Sequence, residues 1–347
     1  MADTSRSEDQ PSETIPTRKI ALQATIRRHL DLNPQTLNRQ VVKKQYCILW
    51  KCSTRETFLK DLAKTPKSAR DAQKLDLQIV GNGRISDKGL YHLSKTIQKL
   101  PHLKGLNIKL PETGPTDLYG GLKRLSRLQE IGLNFARGVK ITDEWLKEIW
   151  KGLGNLVSLK SLSLDFSFGS QITDQGLSGA NRVLNRLGHL QKIHMNFGYC
   201  KKITDCGIKH ICQGLENLVS LRYISLSFKE CHRITDKGLF QLRRGLERLD
   251  SLQSVSLCFS YCYQILDKGL SDLSEGLEKF VLLENISLNL SNCVRITRLG
   301  LEGLFEILKG VSSLRKVQIV FDGCSQISYE EQRRYREAIK DLALSKK

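Results

Sequence analysis

No apolar stretch of this chain approaches the roughly 18 residues that a membrane-spanning helix requires. The opening residues, MADTSRSEDQPSET, carry acidic side chains and lack the apolar core of a secretory signal. They also read poorly as a mitochondrial presequence, although Arg27 and Arg28 follow in a stretch of helical pattern. Catalytic signatures are missing as well. There is no GxxxxGK followed by Ser or Thr, no HExxH and no GxSxG. Gly81-Asn82-Gly83 ahead of Arg84 is a lone glycine turn and carries no chemistry by itself. These absences argue against an enzyme, a bound cofactor or metal, and a membrane span. The expected location is the cytoplasm, with nuclear or cytoskeletal association open, and the ten cysteines are expected to be mostly thiols.

Acidic charge is also scarce. The chain has 55 Lys and Arg against 36 Asp and Glu, a net +19 over 347 residues. The excess is uneven: residues 18–74 hold 14 basic and 4 acidic side chains, hence +10. Such a module fits an acidic partner, whether nucleic acid, a tubulin-like acidic protein surface or anionic lipid, or it is a solvated surface.

What is present is a repeat. Anchored on one leucine, units of 31 residues start at Leu128, Leu159, Leu190, Leu221, Leu252, Leu283 and Leu314. Leu103 lies 25 residues before the first of these and Ala72 another 31 upstream, which makes nine units. A period of this length means a solenoid, because one unit cannot bury its own apolar face. Each unit reads in two halves. In Leu221–Phe228, Ile224, Leu226 and Phe228 alternate with Tyr223, Ser225 and Ser227, which is strand period. Ile234-Thr235-Asp236 then opens a helix whose Leu239, Leu242, Leu246 and Leu249 share one face. The expectation is an α/β solenoid curved as a horseshoe, with parallel strands on the concave face and helices outside.

Four regions follow. Residues 1–17 read as a disordered tail. Residues 18–71 form a basic N-terminal cap of helical pattern, near Ile20–Leu30, Pro34–Trp50 and Thr54–Ala63. Residues 72–328 are the repeats, and residues 329–347 a C-terminal capping helix and tail. In the second unit, Pro111–Asp117 replaces a full helix start, so that unit is about six residues short.

The pattern LxxLxL followed by CxxITDxGL resembles the cysteine-containing leucine-rich repeats of F-box/LRR and ribonuclease-inhibitor-like proteins. The ITD triplet stands at Ile141, Ile172, Ile203 and Ile234 and degenerates at Ile265 and Ile296. The units are longer than usual for that class, by an added strand pair ending in Phe135, Phe166, Phe197, Phe228, Phe259 and Phe321. No F-box pattern is present. The resemblance implies a non-enzymatic interaction or scaffold protein that meets a protein partner or large assembly through its concave face and loop rim. The alternatives are a substrate-recognition subunit of a ubiquitin ligase, or a nucleic-acid-associated protein acting through the basic N-terminal region.

Three constellations recur at the repeat phase. Cys200, Cys231, Cys262, Cys293 and Cys324 stack on adjacent turns, close enough for disulfides or metal ligation but better read as small buried thiols; Gly138 and Gly169 hold the same phase earlier. Asp143, Asp174, Asp205, Asp236 and Asp267 form a ladder of carboxylates that a helix-start role explains. Two positions past the repeat Phe lie Phe168, Tyr199 and Tyr261, beside Arg137, Lys140, Lys201, Lys202, His232, Arg233 and Arg295. Aromatic and cationic side chains on one rim are what interface anchors are made of. They also suit single-stranded nucleic acid, or fold down over the cysteine corner. The outward middle column of the strands, from Asn107 and Gly132 through Ser163, His194, Ser225, Ser256 and Ser287 to Gln318, is small and polar. The candidate partner-binding residues are therefore Phe168, Tyr199, Tyr261, Lys201, Lys202 and Arg233 on the rim, with Tyr223 and His194 on the adjoining concave face.

Overall fold

The computed structural model describes residues 25–28, 46–52, 72–79, 87–100, 102–110, 122, 125–136 and 141–344. Within them eleven strands form one sheet in chain order: β1 (Thr25–Arg28), β2 (Tyr46–Cys52), β3 (Lys74–Ile79), β4 (Gly105–Lys109), β5 (Glu130–Asn134), β6 (Ser161–Asp165), β7 (Lys192–Asn196), β8 (Tyr223–Ser227), β9 (Ser254–Cys258), β10 (Asn285–Asn289) and β11 (Lys316–Val320). The helices among the described residues are α1 (Asp87–Ile97), α2 (Asp143–Leu153), α3 (Asp174–Leu184), α4 (Asp205–Leu215), α5 (Asp236–Leu246), α6 (Asp267–Leu277), α7 (Arg298–Gly310) and α8 (Tyr329–Leu344). The nine strands β3–β11 run parallel, one per repeat.

The 31-residue period sets the register. Ser161, Lys192, Tyr223, Ser254, Asn285 and Lys316 lie side by side across six strands. Gly105 pairs with Glu130, 25 residues on, so the shortening of the second unit leaves the sheet in register. The shortened segment itself, 111–121, lies outside the described residues, as do Gly81–Arg84 and residues 137–140. Strands pack about 4.8 Å apart and helices 8–10 Å apart, so a stack of strand–helix units must curve with its sheet inside. This is an α/β leucine-rich-repeat solenoid.

Two expectations from sequence need correcting. The N-terminal region was expected to be helical, yet Thr25–Arg28 pairs antiparallel with Tyr46–Cys52, which in turn runs parallel to β3. The run Tyr46-Cys47-Ile48-Leu49-Trp50 suits a pleated surface, and the first repeat strand presents a free edge whose N–H and C=O groups need partners. Apolar spacing alone did not register that demand. The rest of residues 1–71 lies outside the described residues. The second correction is to the added strand pair. Each described repeat holds a single strand, and the Phe one residue past it continues the ladder with one bond, as from Phe166 N–H to the Asn196 carbonyl at 2.8 Å. Parallel pairing then resumes only as single bridges at Thr142, Thr173, Thr204, Thr235 and Thr297.

Inside, Phe135, Phe166, Phe197, Phe228 and Phe259 stack as a continuous spine with centroids 5.7–6.0 Å apart. Leu290 interrupts it and Phe321 closes it, packed edge-on against Tyr335 of α8. Beside the spine runs the cysteine column. The thiols of Cys200, Cys231, Cys262, Cys293 and Cys324 are fully buried and free, and each donates to the carbonyl of the spine residue in the preceding unit, at 3.1–3.3 Å. Burial pushes Cys200 and Cys293 up to about 12 and Cys324 up to about 11, and raises Cys231 and Cys262 well above the usual thiol value. These thiols stay protonated and unreactive in the fold.

The aspartate ladder does more than start helices. Each carboxylate reaches the next unit: Asp174 accepts from Thr204 N–H at 2.8 Å and from its hydroxyl at 2.7 Å, and Asp143–Thr173, Asp205–Thr235 and Asp267–Thr297 repeat the pair. The same threonine hydroxyl caps its own helix, as Thr204 does for Cys206 N–H at 3.2 Å. The aspartate also explains a glycine. A Cβ on Gly207 would lie 2.6 Å from Asp174 Oδ1, and Gly176, Gly238, Gly269 and Gly300 stand in the same relation to the aspartates before them. One link is incomplete, because Leu266 replaces threonine, so Asp236 holds only a backbone N–H and α6 has no side-chain cap.

Leu266→Thr should therefore supply both the missing cap and the second Asp236 bond, raising stability by about 1 kcal/mol in thermal or denaturant unfolding. Phe228→Ala should cost about 3–5 kcal/mol. Its loss of amide-exchange protection should centre on the units beginning at Leu190, Leu221 and Leu252, and uniform loss from Leu103 to Leu314 would contradict the stacked-unit account. Under alkylation of the native protein, exposed Cys206 and half-exposed Cys258 should be labelled first. The five column thiols should be labelled only on unfolding, and recovery of any of them as a disulfide would overturn the hydrogen-bonded column.

Candidate interaction surface

The loop that leaves each strand turns back toward the helix, and its second residue past the spine takes a left-handed backbone. Phe168, Tyr199, Glu230, Tyr261 and Asn292 have φ of 58–67°, and Gly323 holds the same phase at 74°. Glycine and asparagine enter this region most easily, whereas a bulky side chain there costs about 1 kcal/mol or more. The first five of these backbones are each locked by the next unit, as Tyr199 N–H donates to the Lys229 carbonyl at 2.6 Å and Tyr261 N–H to the Ser291 carbonyl at 2.8 Å. Asn292 and Gly323 show what the turn alone requires. The three aromatic rings are present despite it.

These rings meet on the surface. Phe168 stacks on Tyr199 at 4.2 Å, and Phe168 is 42% exposed. Lys229 lies between Tyr199 and Tyr261, its ammonium 5.3 and 5.7 Å from the two ring centres. The Tyr199 hydroxyl beside it holds that ammonium above its usual pKa. Tyr261 meets Tyr263 edge-on, and Tyr263 stacks on His232 at 4.9 Å. His232 in turn contacts the Tyr261 carbonyl at 2.9 Å and the Glu230 carboxylate at 3.2 Å, and Lys201 stands 3.9 Å from the same carboxylate. Phe168, Tyr199, Tyr261 and Lys201 thus belong to one rim cluster spanning four units.

Lys202 and Arg233 sit farther along the loop, exposed, at the backbone bridges to Thr173 and Thr204. Tyr223 and His194 lie in the sheet rather than the ring cluster: Tyr223 opens β8, and His194 Nδ1 is 3.0 Å from the Ser225 hydroxyl. Arg137 and Lys140 lie outside the described residues. Lys229, Glu230 and Tyr263 belong to the cluster although repeat phase did not single them out. The signal for Lys229 was a break in pattern, since its column holds Ala136, Ser167, Gly198, Ser260 and Ser291 around it and another charge only at Asp322 in the last unit. Tyr199 and Tyr261 are half-exposed.

No family model and no curated protein matches this chain. Among solved structures, the actin-binding site 2 of leiomodin-1 superposes with a TM-score of 0.37 at 18% identity, covering 48% of this chain and 86% of that one. The yeast Rad7–Elc1 complex gives 0.34 at 16% identity over 75% of this chain and 72% of that one. An internalin of Listeria monocytogenes gives 0.33 at 14% identity over 81% and 85%. Superposition at this level bears on neither partner nor activity.

Proposed function

We propose that this chain is a non-enzymatic interaction or scaffold protein of the cytoplasm that holds a protein partner on its loop rim and adjoining concave face. The observation that carries the reading is the placement of Phe168, Tyr199 and Tyr261 in a backbone conformation that disfavours them, with their rings partly open to solvent. Residues held in unfavourable backbone at a surface cluster where binding occurs. Aromatic side chains add large contact area at small entropic cost, and Lys229 pre-orders two of them. A column of protonated thiols suits a reducing compartment. No helix among the described residues is long and apolar enough to cross a membrane. The ubiquitin-ligase and nucleic-acid alternatives rest on residues 18–74, most of which lie outside the described residues, and no observation favours either.

The experiment separates binding from folding by using the turn's own preference. The partner is captured from native cells with the wild-type protein and identified by mass spectrometry. Tyr199→Asn with Tyr261→Asn places at both turns the residue that unit 283 uses at Asn292. The double variant should keep its melting temperature, because asparagine relieves backbone strain as the ring contacts are lost. It should bind the captured partner roughly thirtyfold more weakly, the effect of losing about 2 kcal/mol at an anchor. Normal binding by this variant would remove the rim from the interface.

A further inference from the structure

On the helical side Arg243, Lys268, Lys279, Arg298 and Lys309 each meet a carboxylate, while exposed Lys209 and Lys237 meet none among the described residues. Along the sheet and its rim Lys74 meets Glu130 and Lys201 meets Glu230. At the starting edge of the strands stand Lys160, Lys192 and Arg222, and at the finishing edge Lys202 and Arg233, all exposed. None of these five has a carboxylate partner among the described residues. Between the two rows the strands present mostly short side chains, Ser161, Ser163, Ser225, Ser254, Ser256 and Ser287, with His194 and Tyr223 rising among them and one carboxylate, Asp165, at the finishing end of β6. Strands of this length set the rows roughly 15–20 Å apart, which admits a helix about 10–12 Å wide with its side chains.

We infer that this channel takes an acidic segment of a protein partner, its carboxylates paired with the two cationic rows and its apolar side chains against the rim aromatics. The inference rests on the proposed interaction role and names the chemistry of its partner. Unpaired exposed cations flanking a floor of hydroxyls are complementary to an anion, and such complementarity sets partner choice and association rate. A nucleic acid fits less well. Bases bind by stacking on open aromatic faces, and here Phe168–Tyr199 at 4.2 Å and His232–Tyr263 at 4.9 Å already cover one another. Glu230 also stands within the rim cluster, where a continuous phosphate chain would meet its carboxylate, whereas spaced acidic side chains pass it by.

The test uses the full chain, with labelled poly-L-glutamate and a labelled oligothymidylate of equal length as probes read by fluorescence anisotropy. The variants are Lys192→Glu with Arg222→Glu, Lys202→Glu with Arg233→Glu, and on the helical side Lys237→Glu with Arg244→Glu as a control. Melting temperatures confirm that each is folded. Both sheet-edge variants should bind poly-L-glutamate about tenfold more weakly, with the control close to wild type. Equal losses in all three, or no loss at the edges, overturns the channel. Tighter binding of oligothymidylate, lost in the same edge variants, overturns it in favour of nucleic acid. The native partner provides the separate check. If it is lost with Tyr199→Asn and Tyr261→Asn but kept by the edge variants, the acidic segment is wrong and the rim remains. If every variant keeps it, both readings fall.

Discussion

The stack depends on a carboxylate placed at the start of each of helices α2–α6 and used by the next unit. Asp143, Asp174, Asp205 and Asp267 each take two hydrogen bonds from a threonine one repeat on, and that threonine caps its own helix in turn. Bonds to an ionised acceptor are about twice as strong as neutral ones. In this position they also fix the height and phase of each helix against its neighbour. The spine of phenylalanines and the cysteine–carbonyl column need that phase, because rings 5.7–6.0 Å apart and thiols 3.1–3.3 Å from a carbonyl tolerate little slippage. The glycine of each ITDxG is the spatial counterpart of the preceding aspartate, and it marks a contact between units rather than a local need for flexibility.

The same regularity exposes where the molecule departs from it. A stack of identical turns would place asparagine or glycine at every left-handed position, as at Asn292 and Gly323. Three of these turns carry rings and one carries Glu230, and in the adjacent column small residues give way to Lys229 between two of the rings and to Asp322 in the last unit. Local backbone preference is overridden at these turns, where the rings meet one another and Lys229 across units. Some helix cations pair with carboxylates of the same or the next helix, and five exposed cations at the sheet edges, Lys160, Lys192, Arg222, Lys202 and Arg233, have none among the described residues.

The repeat period determined much by itself. It named nine units and the strand-then-helix order of each, and it placed the buried leucines, the phenylalanine spine and the cysteine column on common phases. Those follow from short-range pattern: apolar period 2, apolar period 3.6, and a 31-residue recurrence that forces in-register stacking. Phe168, Tyr199 and Tyr261 were visible as a recurring column for the same reason.

Other features depended on what lies one repeat away. The aspartates looked like helix-start residues until Thr173, Thr204 and Thr235 were found at their oxygens. Tyr46–Trp50 read as the end of a helix over Pro34–Trp50, and it lies in a strand because the free edge of β3 needed partners. Lys229 and Tyr263 joined the rim through rings contributed by other units, and no local motif encodes that meeting. Sequence thus determined what each unit is, since that depends on neighbours along the chain. Tertiary structure decided what the units do to one another, because a hydrogen bond, a stacked ring or an unpaired charge is settled by residues about 30 positions apart brought within a few ångströms.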